Sequence, residues 1–162
     1  MPASNNKLYT CVATLHYLGR DHIFKTIILK NNNDIVLKGG GDPDFSLEQL
    51  DSLAHATAEI VEYVKTLYLD ATLLDSMHYG KGWMWDEGSW WYAAPIGALS
   101  VNDNCIDFHV KPGKLGQPAI IDHFPKTKYI FQSNKTTTVD SNVEIKKLKI
   151  ERDWVGRTNH FL

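Results

Sequence analysis

The sequence predicts an α+β protein, and three observations support this fold class. Apolar residues recur at helical spacing near the amino end, and again after a capping signal at residue 46. A hairpin pattern lies between these two helical segments. From residue 98 onward, short runs rich in β-branched residues alternate with turn residues. We therefore predict a helix, then an α/β segment, then a mostly β stretch.

The first helix is predicted over residues 4–18. Its apolar positions share one face and are Leu8, Cys11, Val12, Leu15 and Leu18. Ser4 and Lys7 lie three residues apart at its start, which places both side chains on one face. An amine takes the proton of a hydroxyl only when desolvation or a cationic neighbour keeps it neutral. The pair is a candidate nucleophile and base, or else Ser4 caps the helix and Lys7 is solvated.

The α/β segment begins with a hairpin and continues through a second helix. Its predicted strands cover residues 22–29, 35–37 and 66–74. Ser46 and Gln49 have the spacing of a capping box. The apolar face of the helix that follows comprises Leu47, Leu50, Leu53, Ala54, Ile60, Val61 and Val64. The glycines at 39–41 turn the chain from strand to helix, since glycine accepts backbone angles closed to other residues.

No cofactor or metal is predicted for this chain. The glycine run at 39–41 lacks the Gly-Lys-Ser/Thr of a phosphate-binding loop. Asp70, Asp75 and His78 have no recognised ligand spacing and are interpreted as polar residues of loops and strand ends. His55 falls on the polar face of the second helix and is predicted to be exposed.

The charge pattern disfavours several kinds of partner. The net charge is −2 with acidic and basic residues interspersed, so neither nucleic acid nor an anionic membrane is an expected partner. No apolar run is long enough to span a bilayer, and the amino end has no export signal. Cys11 and Cys105 lie in no metal-binding spacing, so we interpret them as buried free thiols.

Residues 82–92 hold four of the five tryptophans. Clustered aromatic rings beside carboxylates can stack on sugars, and they can equally form the core of a small β domain. We favour the core, and keep a glycan- or partner-binding surface formed by Trp83, Trp85, Trp90, Trp91 and Tyr92 as the alternative. The remaining predicted strands cover residues 98–101, 105–110, 119–121, 128–132, 143–150 and 160–162.

Six stretches in this order resemble one family of enzymes. They are PASNNKL at 2–8, YLG at 17–19, LKGGGDP at 37–43, GWMWD at 82–86, APIGALSVNDN at 94–104 and KPG at 111–113. The sequence resembles the class C low-molecular-mass penicillin-binding proteins, which are D-alanyl-D-alanine carboxypeptidases and endopeptidases of bacterial cell-wall peptidoglycan. The resemblance implies the periplasm or cell envelope as location, and peptidoglycan stem peptides and β-lactams as partners.

The resemblance also implies the chemistry and the domain division. Ser4 matches the family's acylated nucleophile and Lys7 its proton acceptor. Residues 1–21 match the nucleophile helix of a truncated penicillin-binding (β-lactamase-like) domain. Two inserted domains follow, an α/β domain at 22–75 and 143–162 and a mostly β domain at 76–142.

The family's Ser-x-Asn and Lys-Thr-Gly motifs have no counterpart before Leu162. Ser100-Val101-Asn102 falls within an inserted-domain stretch and is interpreted as a structural turn, and Lys135-Thr136-Thr137 lacks the glycine. We therefore expect a fragment that is inactive alone, because Lys7 stays protonated when nothing buries it. The exposed stripe on helix 4–18 is expected to self-associate or to dock on another segment.

Overall fold

The structure is a computed structural model of the 162-residue chain. It describes residues 3–83, 90–143, 148–153, 155–156 and 158–162. Both predicted helices and three strands of the α/β segment are present, so the α+β class is confirmed. The first strand begins at Ile27 and not at residue 22 as predicted. The elements are α1 (Asn6–Tyr17), β1 (Ile27–Asn31), β2 (Asp34–Lys38), α2 (Leu47–Ala58), β3 (Thr66–Asp70), β4 (Asp107–Lys111), β5 (Ile120–Phe124), β6 (Phe131–Gln132) and β7 (His160–Phe161).

The first sheet has the order β1-β2-β3, with α2 as the crossover between β2 and β3. β1 pairs antiparallel with β2 in the predicted hairpin, and β3 pairs parallel with β2. The Lys30 ammonium on β1 donates to the Ile60 carbonyl just after α2, at 2.7 Å. Ile35 faces the same side of the sheet as its partner Lys30 and is 2% exposed. The core of this sheet is therefore centred on Ile35, beneath α2.

The capping box of α2 is confirmed, but the helix is shorter than predicted. The Gln49 N–H donates to the Ser46 hydroxyl at 3.1 Å, and the Ser46 N–H donates to the Gln49 side chain at 2.8 Å. α2 ends at Ala58, so Ile60, Val61 and Val64 lie beyond it. The chain has to reverse there to pair β3 alongside β2, and the Lys65 N–H already donates to the Asn33 carbonyl at 2.8 Å.

β3 also ends before the predicted limit of residue 74. The Asp70 carboxylate accepts hydrogen bonds from the Thr72 N–H at 2.9 Å and the Thr72 hydroxyl at 2.6 Å. This local turn competes with further pairing along the strand. The turn chemistry at Asp70 therefore sets the end of the strand.

The glycine loop at 39–41 connects β2 toward α2 as predicted. Gly41 has φ +71°, and its N–H donates to the Ala98 carbonyl at 3.0 Å. A Cβ on Gly39 would lie 2.1 Å from the same carbonyl oxygen. The loop therefore needs glycine where residues near Ala98 pack against it.

In the second half of the chain, β4 pairs antiparallel with β5 and β6 pairs parallel with β7. Residues 98–101 are not a strand, contrary to the prediction, because this stretch forms hydrogen-bonded turns. The Ser100 hydroxyl donates to the Gly97 carbonyl at 3.1 Å, and the Asn104 amide donates to the Pro95 carbonyl at 2.8 Å. This confirms that Ser100-Val101-Asn102 is a structural turn.

The end of the chain lies beside the β-rich stretch. Phe161 on β7 contacts Phe108 on β4, with ring centroids 5.0 Å apart. Of the predicted strand at 143–150, residues 144–147 lie outside the described residues, and 148–150 form no strand. The assignment of 143–162 to the same domain as 22–75 stays a prediction, and the described strand pairing of residues 160–161 is with β6.

Candidate active site

Ser4 and Lys7 lie one turn apart where α1 begins. Ser4 belongs to a 3-10 turn over Ala3–Asn5, and Lys7 lies in the first turn of α1, so the predicted helix is confirmed with a tighter start. Asn5 is the N-cap residue and makes no side-chain capping bond. Ser4 therefore does not act as the helix cap, which was the alternative interpretation.

The two side chains face an open cleft of about 510 Å³. Its lining residues on α1 and the preceding turn are Ser4, Asn6, Lys7 and Thr10, and those on the opposite side are Trp83, Tyr92 and Ala93. This volume is within the range of small-molecule sites. Within the part of the chain that the structure describes, neither Ser4 nor Lys7 makes a side-chain hydrogen bond or an ion pair, and both are exposed.

Three of the cleft residues, Asn6, Thr10 and Ala93, were not singled out by the sequence analysis. Thr10 continues the three-residue spacing of Ser4 and Lys7, and this periodicity could have identified it. Its hydroxyl donates to the Asn6 carbonyl at 3.3 Å. Tyr92 was recognised as part of the aromatic cluster, but its position opposite α1 depends on a contact distant in sequence.

The interpretation of the tryptophan cluster as a core is wrong for the tryptophans that the structure describes. Trp83, Trp90 and Trp91 are 39%, 56% and 73% exposed. Trp85 lies outside the described residues. The strands of the β-rich stretch bring other aromatic side chains together, the half-buried Phe108 and Phe161, and Trp83 lines the cleft.

The cysteines differ from the prediction of two buried thiols. Both are free, but Cys11 is exposed because the apolar face of α1 packs against no described element. Cys105 is half-buried, and its thiol donates to the Asp103 carbonyl at 3.3 Å. Burial, and then the negative charges of Asp103 and Asp107, raise the pKa of the Cys105 thiol.

The other polar residues considered in the sequence have local partners. Asp70 and Asp75 accept hydrogen bonds from residues two positions further along the chain, and His78 contacts the Ile96 carbonyl. His55 is exposed on α2, as predicted, and contacts Asp51. No group of three metal-ligating side chains comes together among the described residues. In the same residues, neither helix has the length and hydropathy to cross a bilayer.

Comparison with known proteins identifies the family. The model of the D-Ala-D-Ala carboxypeptidase 3 (S13) family matches residues 1–160. The chain belongs to this family. The sequence is 33% identical to the D-alanyl-D-alanine carboxypeptidase of Actinomadura sp. (strain R39) over 85% of this chain and 29% of that protein. It is 27% identical to D-alanyl-D-alanine carboxypeptidase DacB of Haemophilus influenzae over 77% of this chain, and 29% of that protein.

Solved structures support the fold. The crystal structure of penicillin binding protein 4 (dacB) from Haemophilus influenzae matches 99% of this chain and 37% of that chain, with TM-score 0.75 and 23% identity. The same protein complexed with a novel β-lactam matches with TM-score 0.63 and 22% identity. The chain spans 29% of the length of the curated relatives. The family resemblance drawn from the six motifs is therefore confirmed.

Proposed function

We propose that this chain carries the nucleophile of a serine-type D-Ala-D-Ala carboxypeptidase or endopeptidase, with Ser4 as nucleophile and Lys7 as general base. The observation that supports the assignment is their shared position on one wall of the cleft at the start of α1. Family membership supports a substrate that ends in D-Ala-D-Ala, and we propose the stem peptide of peptidoglycan. The location that follows from this substrate is the periplasm or cell envelope.

The reaction begins at the hydroxyl of Ser4. The Ser4 oxygen attacks the carbonyl carbon between the two D-alanines, and its proton passes to the Lys7 amine. The peptide C–N bond breaks, and the terminal D-alanine leaves with the proton. Water then hydrolyses the ester, and Ser4 is released. A β-lactam acylates the same oxygen when its ring amide opens.

The developing negative charge on the carbonyl oxygen needs a hydrogen-bond donor. The backbone N–H of Ser4 lies in the first helical turn, where N–H groups have no acceptor within the helix. These groups also lie at the positive end of the helix dipole. We assign the Ser4 N–H as one oxyanion donor.

We further propose that residues 1–162 are catalytically inactive by themselves, so that Ser4 reacts only slowly with a β-lactam. Both side chains are exposed, so the described part of the chain does not supply the desolvation that turns a lysine amine into a base. Activation then requires groups that desolvate Lys7 or place a second cation beside it.

Labelling with a fluorescent penicillin tests the assignment. We expect slow, substoichiometric labelling that peptide mass spectrometry locates at Ser4. The label is lost in Ser4→Ala and retained in Ser52→Ala, an exposed serine on α2. Rapid stoichiometric labelling of Ser4 contradicts the slow reaction, and labelling of a different residue contradicts the choice of nucleophile.

The apolar face of α1 provides a second expected partner, another copy of this chain. Leu8, Val12 and Leu15 are all at least 60% exposed. A short helix of this kind is marginal in water unless its apolar face is covered. We propose self-association through α1.

A non-enzymatic glycan- or partner-binding module remains the second candidate function, favoured by the exposure of Trp90 and Trp91. Trp90 stacks parallel to Tyr92, with centroids 6.1 Å apart. Titration with soluble peptidoglycan glycan fragments tests this candidate. Binding shifts the tryptophan emission, and the shift is lost in Trp91→Ala. Tryptophan emission that stays unchanged at the highest fragment concentration excludes this binding function.

A further inference from the structure

Trp83, Tyr92 and Ala93 line the cleft from two described stretches, residues 78–83 and 90–96, which hydrogen bonds join to each other. The Ile96 N–H donates to the His78 carbonyl at 2.9 Å. The His78 Nδ1 donates in return to the Ile96 carbonyl at 3.0 Å, since a carbonyl oxygen only accepts. Asn104 adds a third bond, from its amide to the Pro95 carbonyl at 2.8 Å. The two stretches are thus joined at His78.

In the first of these stretches, the indole of Trp83 lies against Gly80. A Cβ placed on Gly80 would be 2.5 Å from the indole Nε1, and 3.0 Å and 3.2 Å from Cδ1 and Cε2. Any side chain at this position therefore displaces the ring. The indole is the far end of a partly exposed side chain, so the ring moves more easily than the backbone.

The displaced ring is part of the cleft wall, because Trp83 lines the cleft together with Ser4 and Gly80 does not. A methyl group on Gly80 therefore changes the shape of this wall without itself entering the cleft. Removing the indole widens the cleft.

We propose that Gly80 and His78 are positioning residues that determine how bulky a group can reach Ser4. Gly80 leaves the space in which the Trp83 indole lies, and His78 joins the stretch that carries this indole to Ile96. The consequence for substrate choice rests on the proposed role of Ser4 as nucleophile. The geometry of the wall does not depend on that role.

The test measures access to position 4 without relying on catalysis. Ser4→Cys is introduced in a Cys11→Ser background, because Cys11 is exposed while Cys105 is half-buried. The rate constants for a bulky and a small methanethiosulfonate are measured by mass spectrometry of the amino-terminal peptide. The ratio of the bulky to the small rate constant reports the width of the cleft.

We expect Gly80→Ala to change this ratio about threefold to tenfold, the equivalent of one aromatic contact. Trp83→Ala raises the ratio by a similar factor. Gly97→Ala is the matched control, because a Cβ at this position would be 3.6 Å from its nearest atom, an ordinary van der Waals distance. We expect this control to leave the ratio unchanged. Equal ratios in Gly80→Ala and Gly97→Ala overturn the role of Gly80.

His78 is tested by removing and restoring its donor. His78→Leu loses the hydrogen bond to the Ile96 carbonyl, and we expect it to raise the ratio of rate constants. His78→Asn keeps an N–H donor at the same distance from Cβ, and we expect it to return the ratio to the parent value. Urea midpoints within error of the parent exclude general unfolding as the cause. If Gly80→Ala does not fold, the proposal is tested with His78→Leu, His78→Asn and Trp83→Ala. An unchanged ratio of rate constants in His78→Leu and Trp83→Ala overturns the proposal.

The outcomes separate this inference from the proposed function. Penicillin labelling away from Ser4, with the expected thiol ratios, contradicts the proposed function alone. Labelling at Ser4 with unchanged thiol ratios contradicts the positioning role alone.

Discussion

The helices α1 and α2 are both twelve residues long and both amphipathic, yet their environments differ. α2 begins with a capping box and lies over a sheet formed by the strands on either side of it in sequence. α1 has no side-chain cap, and all its residues are exposed. The difference shows that an apolar stripe predicts a helix but not what covers it.

The physical reason lies in the distance to a partner along the chain. The strands β2 and β3 flank α2 directly, so the loops that close this unit cost little entropy. α1 is followed by Gly19 at φ +81° and then by residues 20–26, which belong to no helix or strand. The apolar face of α1 can therefore be covered only by a segment distant in sequence or by another molecule, whereas α2 has its sheet strands on either side of it in sequence.

Truncating an apolar side chain should have the most different effects on stability in the two regions, the α2 sheet and α1. Ile35→Ala removes the most buried side chain beneath α2, and we expect it to lower the free energy of unfolding by about 2 to 5 kcal/mol. In the monomer, at a concentration too low for self-association, Val12→Ala on α1 should change the free energy of unfolding by less than about 0.5 kcal/mol. Urea denaturation followed by circular dichroism measures both. A large loss in Val12→Ala would show that the α1 stripe is buried in solution.

Self-association should respond to charge on α1 and not on α2. Val12→Asp places a carboxylate in the exposed stripe, and we expect it to raise the dissociation constant of the self-associated form at least about tenfold. Ala54→Asp on the exposed side of α2 is the control and should leave it unchanged. Sedimentation velocity over a range of concentrations measures both. A concentration-independent monomer in the unsubstituted chain rules out this partner.

Removing the N-cap side chain should destabilise the protein at α2 and not at α1, by less than the core truncation does. Ser46→Ala removes the hydroxyl that accepts from the Gln49 N–H, and we expect a loss of about 1 kcal/mol in the free energy of unfolding. Asn5→Ala at the start of α1 should have no measurable effect, because Asn5 makes no capping bond. Equal losses in the two variants, again from urea denaturation, would mean that the capping box of α2 contributes nothing specific.

The smallest effect should be the acid dependence of the α2 sheet. Hydrogen bonds from the Thr72 hydroxyl and N–H, and then the charge of Lys38, hold the pKa of Asp70 below its ordinary value. A carboxyl of this kind contributes stability above its unfolded-state pKa, and this contribution is lost as pH falls through the folded-state pKa.

We therefore expect unfolding midpoints of the parent to fall below about pH 4, and Asp70→Asn to reduce this fall. Asp44→Asn, at an exposed residue of the loop before α2, is the control. α1 contains no acidic residue, so its helical signal should not titrate in this range. An acid profile of Asp70→Asn that coincides with the parent contradicts the stabilising role of this carboxylate.

Local sequence signals determined much of this molecule. The capping box at Ser46 and the asparagine turn before Asp34 placed α2 and the hairpin, because these patterns act over a few residues. Six ordered motifs identified the family. Helical spacing placed Ser4 and Lys7 on the same side of one turn.

The tertiary structure decided what the local patterns could not. The parallel pairing of β3 with β2 ended α2 at Ala58, and the exposure of the tryptophans depended on other side chains forming the core. The position of Trp83 and Tyr92 across the cleft from Ser4 joins residues about eighty positions apart. Helical and strand periodicities describe which face of an element is apolar, and they carry no information about which distant segment will meet it.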